Sequence, residues 1–320
     1  MFPSRITAIT TAYCSSCKLL RCMLARQGEG TKGFSMDNTV KLYYAKLANM
    51  GDLLNVLIIE KCFGYKVERH SFLTGELCAI GSCLGQYTLH GSLPMRLRQR
   101  INGLARPRVS IWGTGFINYS DAEGKFFKRD MDFRAVRGEL TRKNLERMTG
   151  KKLDIPTGDA GILADELLDE RPEMVYDIGI VPHICDLSDP VCRKLADSYP
   201  NSILINVKDD PLTVVRQIAQ CRTVLSSSLH GLIVADSFGI PNRHLVLSDR
   251  PLGDGYKFDD YYSAYPVPHL ICDLRSDRAP STEEIRADYP ITPSMVETKK
   301  KLMRESFPLP RINGGEKEHG

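Results

Sequence analysis

The chain has 320 residues, 42% of them hydrophobic and 26% charged, with a formal net charge of +4. That length suggests roughly two domains, each able to bury its own core. Lys and Arg are scattered among acids with no dense tract, which argues against a dedicated nucleic-acid binder and suits anionic substrates or loose contact with an anionic membrane surface; with no run of about 18 apolar residues, no membrane-spanning helix is expected.

Residues 1–40 are rich in Thr, Ser and Cys and lack a clear period, so they are expected to be a disordered leader or an over-long start. From Lys41 strands and helices alternate, the pattern of parallel sheets covered by helices. Lys41 to Leu47 predicts a strand, Asn49 to Asp52 a turn, and Leu53 to Phe63 a helix closed by Gly64. Strands follow at Leu77 to Ile80, ending in Gly81-Ser82, at Arg108 to Trp112, and at Phe133 to Val136, ending in Arg137-Gly138. Thr141 is placed to cap the next helix, which stops at Gly150, and Pro156 to Asp159 leads into an apolar helical stretch. The acidic, proline-bearing residues 166–175 read as a linker between a first unit, 41–165, and a second, 176–306, leaving 307–320 as a polar tail. In the second unit Val175 to Val181 ends at Pro182-His183, Ser202 to Val207 is a strand, and Asp210-Pro211 opens a helix. A strand at His244 to Leu247 and a helix from Pro293 to Glu305 complete it.

The most informative stretch is Cys221 to Pro241. Thr223 to Leu225 is a short buried strand, Ser226 to Ser228 a hydroxyl-rich turn, and from Leu229 the apolar spacing becomes helical until Gly239 and Pro241 stop it. Ser228, Leu229 and His230 thus lie at a helix start, where free N–H groups and the positive end of the dipole suit a phosphate or carboxylate. A histidine beside a bound anion is a candidate proton donor or acceptor. The structural alternative is that the serines cap the helix and His230 is a satisfied helix-start residue. Two doubly wound units place a ligand in the cleft between them, at the carboxyl ends of their strands. Asn49, Asp52, Ser82, Arg137, His183 and His230 all fall at such ends.

The ten cysteines mostly fall in apolar segments and read as buried, reduced thiols of a cytosolic protein. Cys14 and Cys17 form one close pair that no second pair or nearby histidine completes, and no clustered carboxylates suggest a divalent cation, so no metal site is expected.

These landmarks, in this order, resemble the polysaccharide pyruvyl transferase family, in the branch that builds pyruvate ketals on exopolysaccharides. The matching pieces are Asn49-Met-Gly-Asp52, Val136-Arg137-Gly138, Gly158-Asp159-Ala160, Gly179-Ile-Val-Pro182-His183 and Ser226-Ser-Ser228-Leu229-His230-Gly231. Ala160 departs from the proline that often follows the aspartate. The resemblance implies an α/β fold of two Rossmann-like doubly wound domains, similar to the GT-B glycosyltransferases, with an acceptor side at 41–165 and a phosphoenolpyruvate side at 176–306. It implies transfer of pyruvate from phosphoenolpyruvate, the donor substrate, to two hydroxyls of a sugar, with no cofactor, release of phosphate and a lipid-linked oligosaccharide as acceptor. It further implies cytoplasmic action at the inner face of the membrane. On this reading His230 is the acid or phosphate-binding group, His183 a base, Arg137, Ser228 and Leu229 ligands of the anion, and Asn49, Asp52 and Ser82 residues of the substrate cleft. A nucleotide-sugar glycosyltransferase of the same fold and a non-catalytic glycan-binding protein are the competing readings.

Overall fold

Short buried strands followed by helices wind this chain into two parallel sheets. The computed structural model describes residues 38–45, 49–89, 91–122 and 127–310. The first sheet is built from β1 (Thr39–Tyr43), β2 (Lys66–His70), β3 (Leu77–Cys78), β4 (Val109–Trp112) and β5 (Met131–Ala135), in the order β2-β1-β3-β4-β5. The second holds β6 (Ile178–Val181), β7 (Ser202–Leu204), β8 (Val224–Ser226), β9 (Asn242–Val246) and β10 (Ile271–Asp273), in the order β10-β9-β8-β6-β7. Each strand pair within both sheets is parallel. Numbered within its own unit, each sheet has the doubly wound order 2-1-3-4-5, so the winding reverses between β1 and β3 in one and between β6 and β8 in the other.

Helix α1 (Met50–Phe63) follows β1, α2 (Leu93–Leu104) lies between β3 and β4, and α3 (Glu139–Thr149) follows β5. A 3₁₀ segment, Ala160–Leu167, ends the first unit. Then come α4 (Pro190–Asp197), α5 (Pro211–Ala219), α6 (Leu229–Ser237), α7 (Tyr256–Tyr262), α8 (Thr282–Asp288) and α9 (Pro293–Glu305). Aspartates at the N-caps of α4 and α5 accept hydrogen bonds from the first helical turn, with proline in the next position, as the sequence of α5 predicts.

The first strand is shorter and earlier than predicted, ending at Tyr43, and the tail of that prediction, residues 46 and 47, lies outside the described residues, as does the leader up to residue 37. β2 escaped prediction because Lys66, Glu68 and Arg69 give this edge strand little apolar pattern. Thr141 does not cap α3. The helix starts at Glu139, and Thr141, one turn in, gives both its N–H and its Oγ1–H to the carboxylate of Asp260 on α7, which takes over the capping.

A single apolar cluster runs through both units. α1 is apolar on nearly all sides because it is covered on nearly all sides: Leu54, Ile58, Ile59 and Phe63 are buried in a core shared with Leu163 of the 3₁₀ segment, Val214 and Ile218 of α5, and Ile233 of α6. α9 comes back across the first sheet, where the indole N–H of Trp112 donates to Met303 O at 3.0 Å and Phe307 stacks on Phe63. Phe307 and Leu309, which composition assigns to the polar tail, are buried there.

One polar side chain holds the start of α1 against β3. Asn55, fully buried, donates to Ile80 O (3.0 Å) and Asp52 O (3.1 Å) and accepts from Ile80 N (2.8 Å), closing the loop that carries Gly81-Ser82. Asn55→Ala leaves these backbone groups without partners, and we expect it to lower the free energy of urea unfolding by about 2–4 kcal/mol; a loss below about 1 kcal/mol would mean that the loop is held by other contacts.

Candidate functional site

The two winding reversals face one another. At the first, Asn49 ends the β1 loop and caps α1, its Oδ1 accepting from Gly51 N at 3.4 Å, while Ser82 follows β3. At the second, His183 follows β6 and Ser227 to His230 follow β8. Met50 N donates to Val207 O at 2.9 Å, tying the start of α1 to the second unit. Gly51 lies against the imidazole of His230 so closely that a Cβ there would fall 2.0 Å from Nδ1. Gly161 of the 3₁₀ segment flanks the other edge of the ring, 3.9 Å from Cδ2 by the same measure.

The serine turn works differently from a simple cap. Ser226 Oγ accepts from Ser228 N and donates to Val181 O, and Ser227 Oγ accepts from His183 N at 2.8 Å. Ser228 is the N-cap residue of α6, yet its hydroxyl makes no capping bond. The amides of Leu229 and His230 have no partner among the described residues, so the first turn of α6 keeps its donors open. His230 Nε2 is buried and also lacks a partner.

Cations crowd this turn. Burial, reinforced by Arg137, Lys257 and His183, pushes His230 down to about 3, so its ring is neutral. Burial and Lys257 push His183 down to about 4 against the pull of Asp186. His183 Nδ1 accepts from Cys185 N at 3.2 Å, which leaves the proton of the neutral ring on Nε2 and makes that edge a donor. Lys257, on α7, is almost buried, and burial with the Arg137 charge lowers it to about 8. Its ammonium lies over the Phe258 ring and has no ion pair or hydrogen bond among the described residues.

Arg137 sits underneath, fully buried. Its Nε donates to Asp260 Oδ2 (2.9 Å), Nη1 to Ser82 Oγ (2.7 Å) and Nη2 to Phe116 O (2.5 Å). Most of its donors are therefore committed to the protein, and it acts on the site chiefly as a fixed positive charge. Two carboxyls border the same region. Burial raises Asp52 to about 6, and its side chain makes no hydrogen bond or ion pair among the described residues. Burial raises Asp159 to about 7 against the N–H of Gly161 and the charge of Arg137, and its Oδ2 is buried without a partner.

The structure thus brings His230, His183, Ser228 and Leu229 together around one turn, seats the loop of Asn49 and Asp52 against it through Gly51, and joins Ser82 to Arg137. Sequence reasoning missed Lys257, Asp159 and Asp260, whose positions depend on how α7 and the 3₁₀ segment fold back. Nothing in the spacing of residues 253–262 distinguishes Lys257 from a surface lysine. Cys185, expected buried with the other thiols, is exposed on the loop after His183. Beyond Ser227 opens a cavity of about 380 Å³ whose wall includes His244, Phe258 and His269. His244 stacks on Phe258 and its Nδ1 lies 3.0 Å from Nε2 of His269, which in turn contacts Asp259.

A family model described as polysaccharide pyruvyl transferase matches residues 89–249, half of the chain. Protein L143 of Acanthamoeba polyphaga mimivirus is 28% identical over 229 residues, covering 70% of this chain and 74% of that protein. The succinoglycan biosynthesis protein ExoV of Rhizobium meliloti (strain 1021) is 26% identical over 164 residues, covering 50% of this chain and 48% of ExoV. Among solved structures, E. coli heptosyltransferase WaaC with ADP aligns with 84% of this chain and all of its own at 14% identity and a TM-score of 0.30.

Two outcomes follow from this geometry. In Gly51→Ala the new methyl displaces the His230 ring toward solvent, and the imidazole should titrate nearer its ordinary 6.5 when its ring protons are followed by NMR; titration still near 3 would show that the ring is not seated on Gly51. Because His183 and His230 have folded-state values below 6.5, the unfolded chain binds more protons between about pH 4 and 6.5. Their contribution to stability is whole above pH 6.5 and is lost as the pH falls. Asp52 and Asp159 act in the opposite sense, so the readout is the difference between wild type and His230→Asn, whose unfolding free energy should fall less steeply from pH 7 to 4. Equal slopes would count against a buried neutral His230.

Proposed function

Since the chain belongs to the polysaccharide pyruvyl transferase family, we propose that it transfers pyruvate from phosphoenolpyruvate to two hydroxyls of one sugar residue, forming a cyclic ketal and releasing phosphate. The observation that carries this reading is a set of donors at one helix start that have no partner among the described residues: the Lys257 ammonium, the amides of Leu229 and His230, and the hydroxyl of Ser228. Such a set suits a doubly charged phosphate, and Nε2–H of His183 adds a further donor.

Burial, reinforced by the positive charge of Arg137 and Lys257, holds His230 neutral. A bound phosphate reverses that field, raises the basicity of the ring and lets it take up a proton. The imidazolium then gives this proton to the methylene carbon of the enol, and C2 becomes an oxocarbenium-like centre. One sugar hydroxyl attacks C2 and loses its proton to a base; the second hydroxyl displaces phosphate by cleavage of the C2–O bond, and its proton leaves with the phosphate. Asp52, raised to about 6 and without a partner, is better suited to that base than His183, whose Nε2 carries the proton. Arg137 supports the donor anions from beneath through its charge, and Asn49 and Ser82 shape the acceptor side through the α1 cap and the β3 loop. A sugar of a polysaccharide repeat unit, carried on a lipid, is the acceptor class that fits this reading.

The test is phosphate release from phosphoenolpyruvate with and without a panel of hexosides and lipid-linked oligosaccharides, followed by product mass. Acceptor-dependent release with a product one ketal heavier is expected, and His230→Ala should lower the rate by about 10²- to 10⁴-fold. Lys257→Met should raise KM for phosphoenolpyruvate by about 10- to 100-fold, as befits loss of a charge-assisted contact. No turnover with any acceptor, together with binding of nucleotide sugars, would move the assignment to glycosyl transfer.

A further inference from the structure

Helix α2 has an outer face that the described residues leave uncovered. Its inner edge is fixed: Gly103 is pressed so closely on the backbone of Lys128 that a Cβ would fall 1.5 Å from its carbonyl oxygen, and Arg100 donates to Phe127 O at 3.1 Å. Turned away from Gly103, Leu93, Leu97, Ile101 and Leu104 are 73%, 60%, 57% and 61% exposed. At 3.6 residues per turn these four fall within an arc of about 80°. They form a continuous apolar stripe rather than isolated surface residues.

The charge around that stripe has one sign. Between Glu76 and Asp121 the sequence contains no acid, and Arg96, Arg98, Arg100, Arg106 and Arg108 all fall in that interval. Contrary to the expectation of no dense basic tract, these five arginines are gathered within residues 96–108, on and just after one helix. Arg98 and Arg106 have no acidic partner among the described residues, whereas Arg100 and Arg108 reach Asp130 and Asp132.

We propose that α2 docks the protein on an anionic lipid surface, the Leu93-Leu97-Ile101-Leu104 stripe entering the headgroup layer and the neighbouring arginines pairing with lipid phosphates. An amphipathic helix with an apolar stripe and a basic flank binds in this way, lying in the plane of the interface. A second copy of the chain fits the same face poorly. A two-fold contact across the stripe would bring the arginines of both copies together with no acid on the helix to offset them. The inference does not depend on the reaction proposed above, although a lipid-carried acceptor would place the substrate at the same surface.

The experiment is co-sedimentation with vesicles of equal parts phosphatidylglycerol and phosphatidylcholine, against pure phosphatidylcholine, at about 0.1 M and about 1 M salt, where the Debye length falls from about 10 Å to about 3 Å. Binding to the anionic vesicles alone, lost at high salt, is expected. Arg98→Gln with Arg106→Gln should weaken partitioning about 25-fold, from about 5-fold per charge. Leu97→Ser with Ile101→Ser should abolish it, with circular dichroism confirming that the variants are folded. Absence of binding to anionic vesicles overturns the proposal, whatever the variants do. So does undiminished binding by both folded double variants, or a dimer in sedimentation velocity that Leu97→Ser with Ile101→Ser dissolves, which would assign the face to a second copy.

Discussion

The buried ion pair between Arg137 and Asp260 is the constraint on which the rest depends. Both side chains are fully shielded from water, one contributed by the end of β5 and the other by α7, so the contact spans the two units. Removing one member of such a pair leaves a buried charge uncompensated, a loss of about 3–5 kcal/mol. Asp260 meanwhile caps α3 through Thr141, and Arg137 holds Ser82 and the Phe116 carbonyl. One contact therefore fixes the β3 loop, the start of α3 and the position of α7, and it also sets the positive potential felt by Lys257 and His230.

Against that tightly bonded background the open groups stand out. Asp186 is buried and shared by Ser227, Ser248 and Arg250, and Asn55 uses its side-chain groups on the backbone. Among the described residues Ser228 Oγ, the first amides of α6, His230 Nε2 and the Lys257 ammonium have no such partners, and they gather where two identically wound sheets reverse direction. Buried polar groups are nearly always satisfied, so a concentration of unsatisfied ones marks a place built around something that brings its own charge. The pKa values fit the same account: each is displaced toward the neutral form by burial, the state expected of a site awaiting an anion.

Much of this was legible in the sequence because it is local. A short β-branched run, three serines and a helical apolar period specify β8, its turn and α6 without reference to anything distant, and the same holds for the Asn49 cap and the glycine that ends α1. The family resemblance drew on those local segments. What was illegible is what the fold creates by bringing remote segments together. Lys257 becomes a site residue only because α7 packs beneath the serine turn, and Thr141 looks like a cap until Asp260 arrives from more than a hundred residues away. The 3₁₀ segment after Asp159 reads as a helix by composition, but the Asp159 carboxylate binds Gly161 N and a tighter winding follows. Cys185 lies in a loop whose exposure its apolar neighbours conceal.

The return of α9 to the first sheet bears on how the chain is made. Trp112 and Phe63 find their covering partners in Met303 and Phe307, about two hundred residues later in the sequence. During vectorial synthesis the first sheet emerges with this apolar patch open and stays so until α9 has left the ribosome. The first sheet thus completes its apolar cover with a segment that follows the second sheet in the sequence. Helix α9 acts as a latch on the earlier half, so a nascent chain halted before residue 293 exposes an aromatic surface for chaperones to recognise.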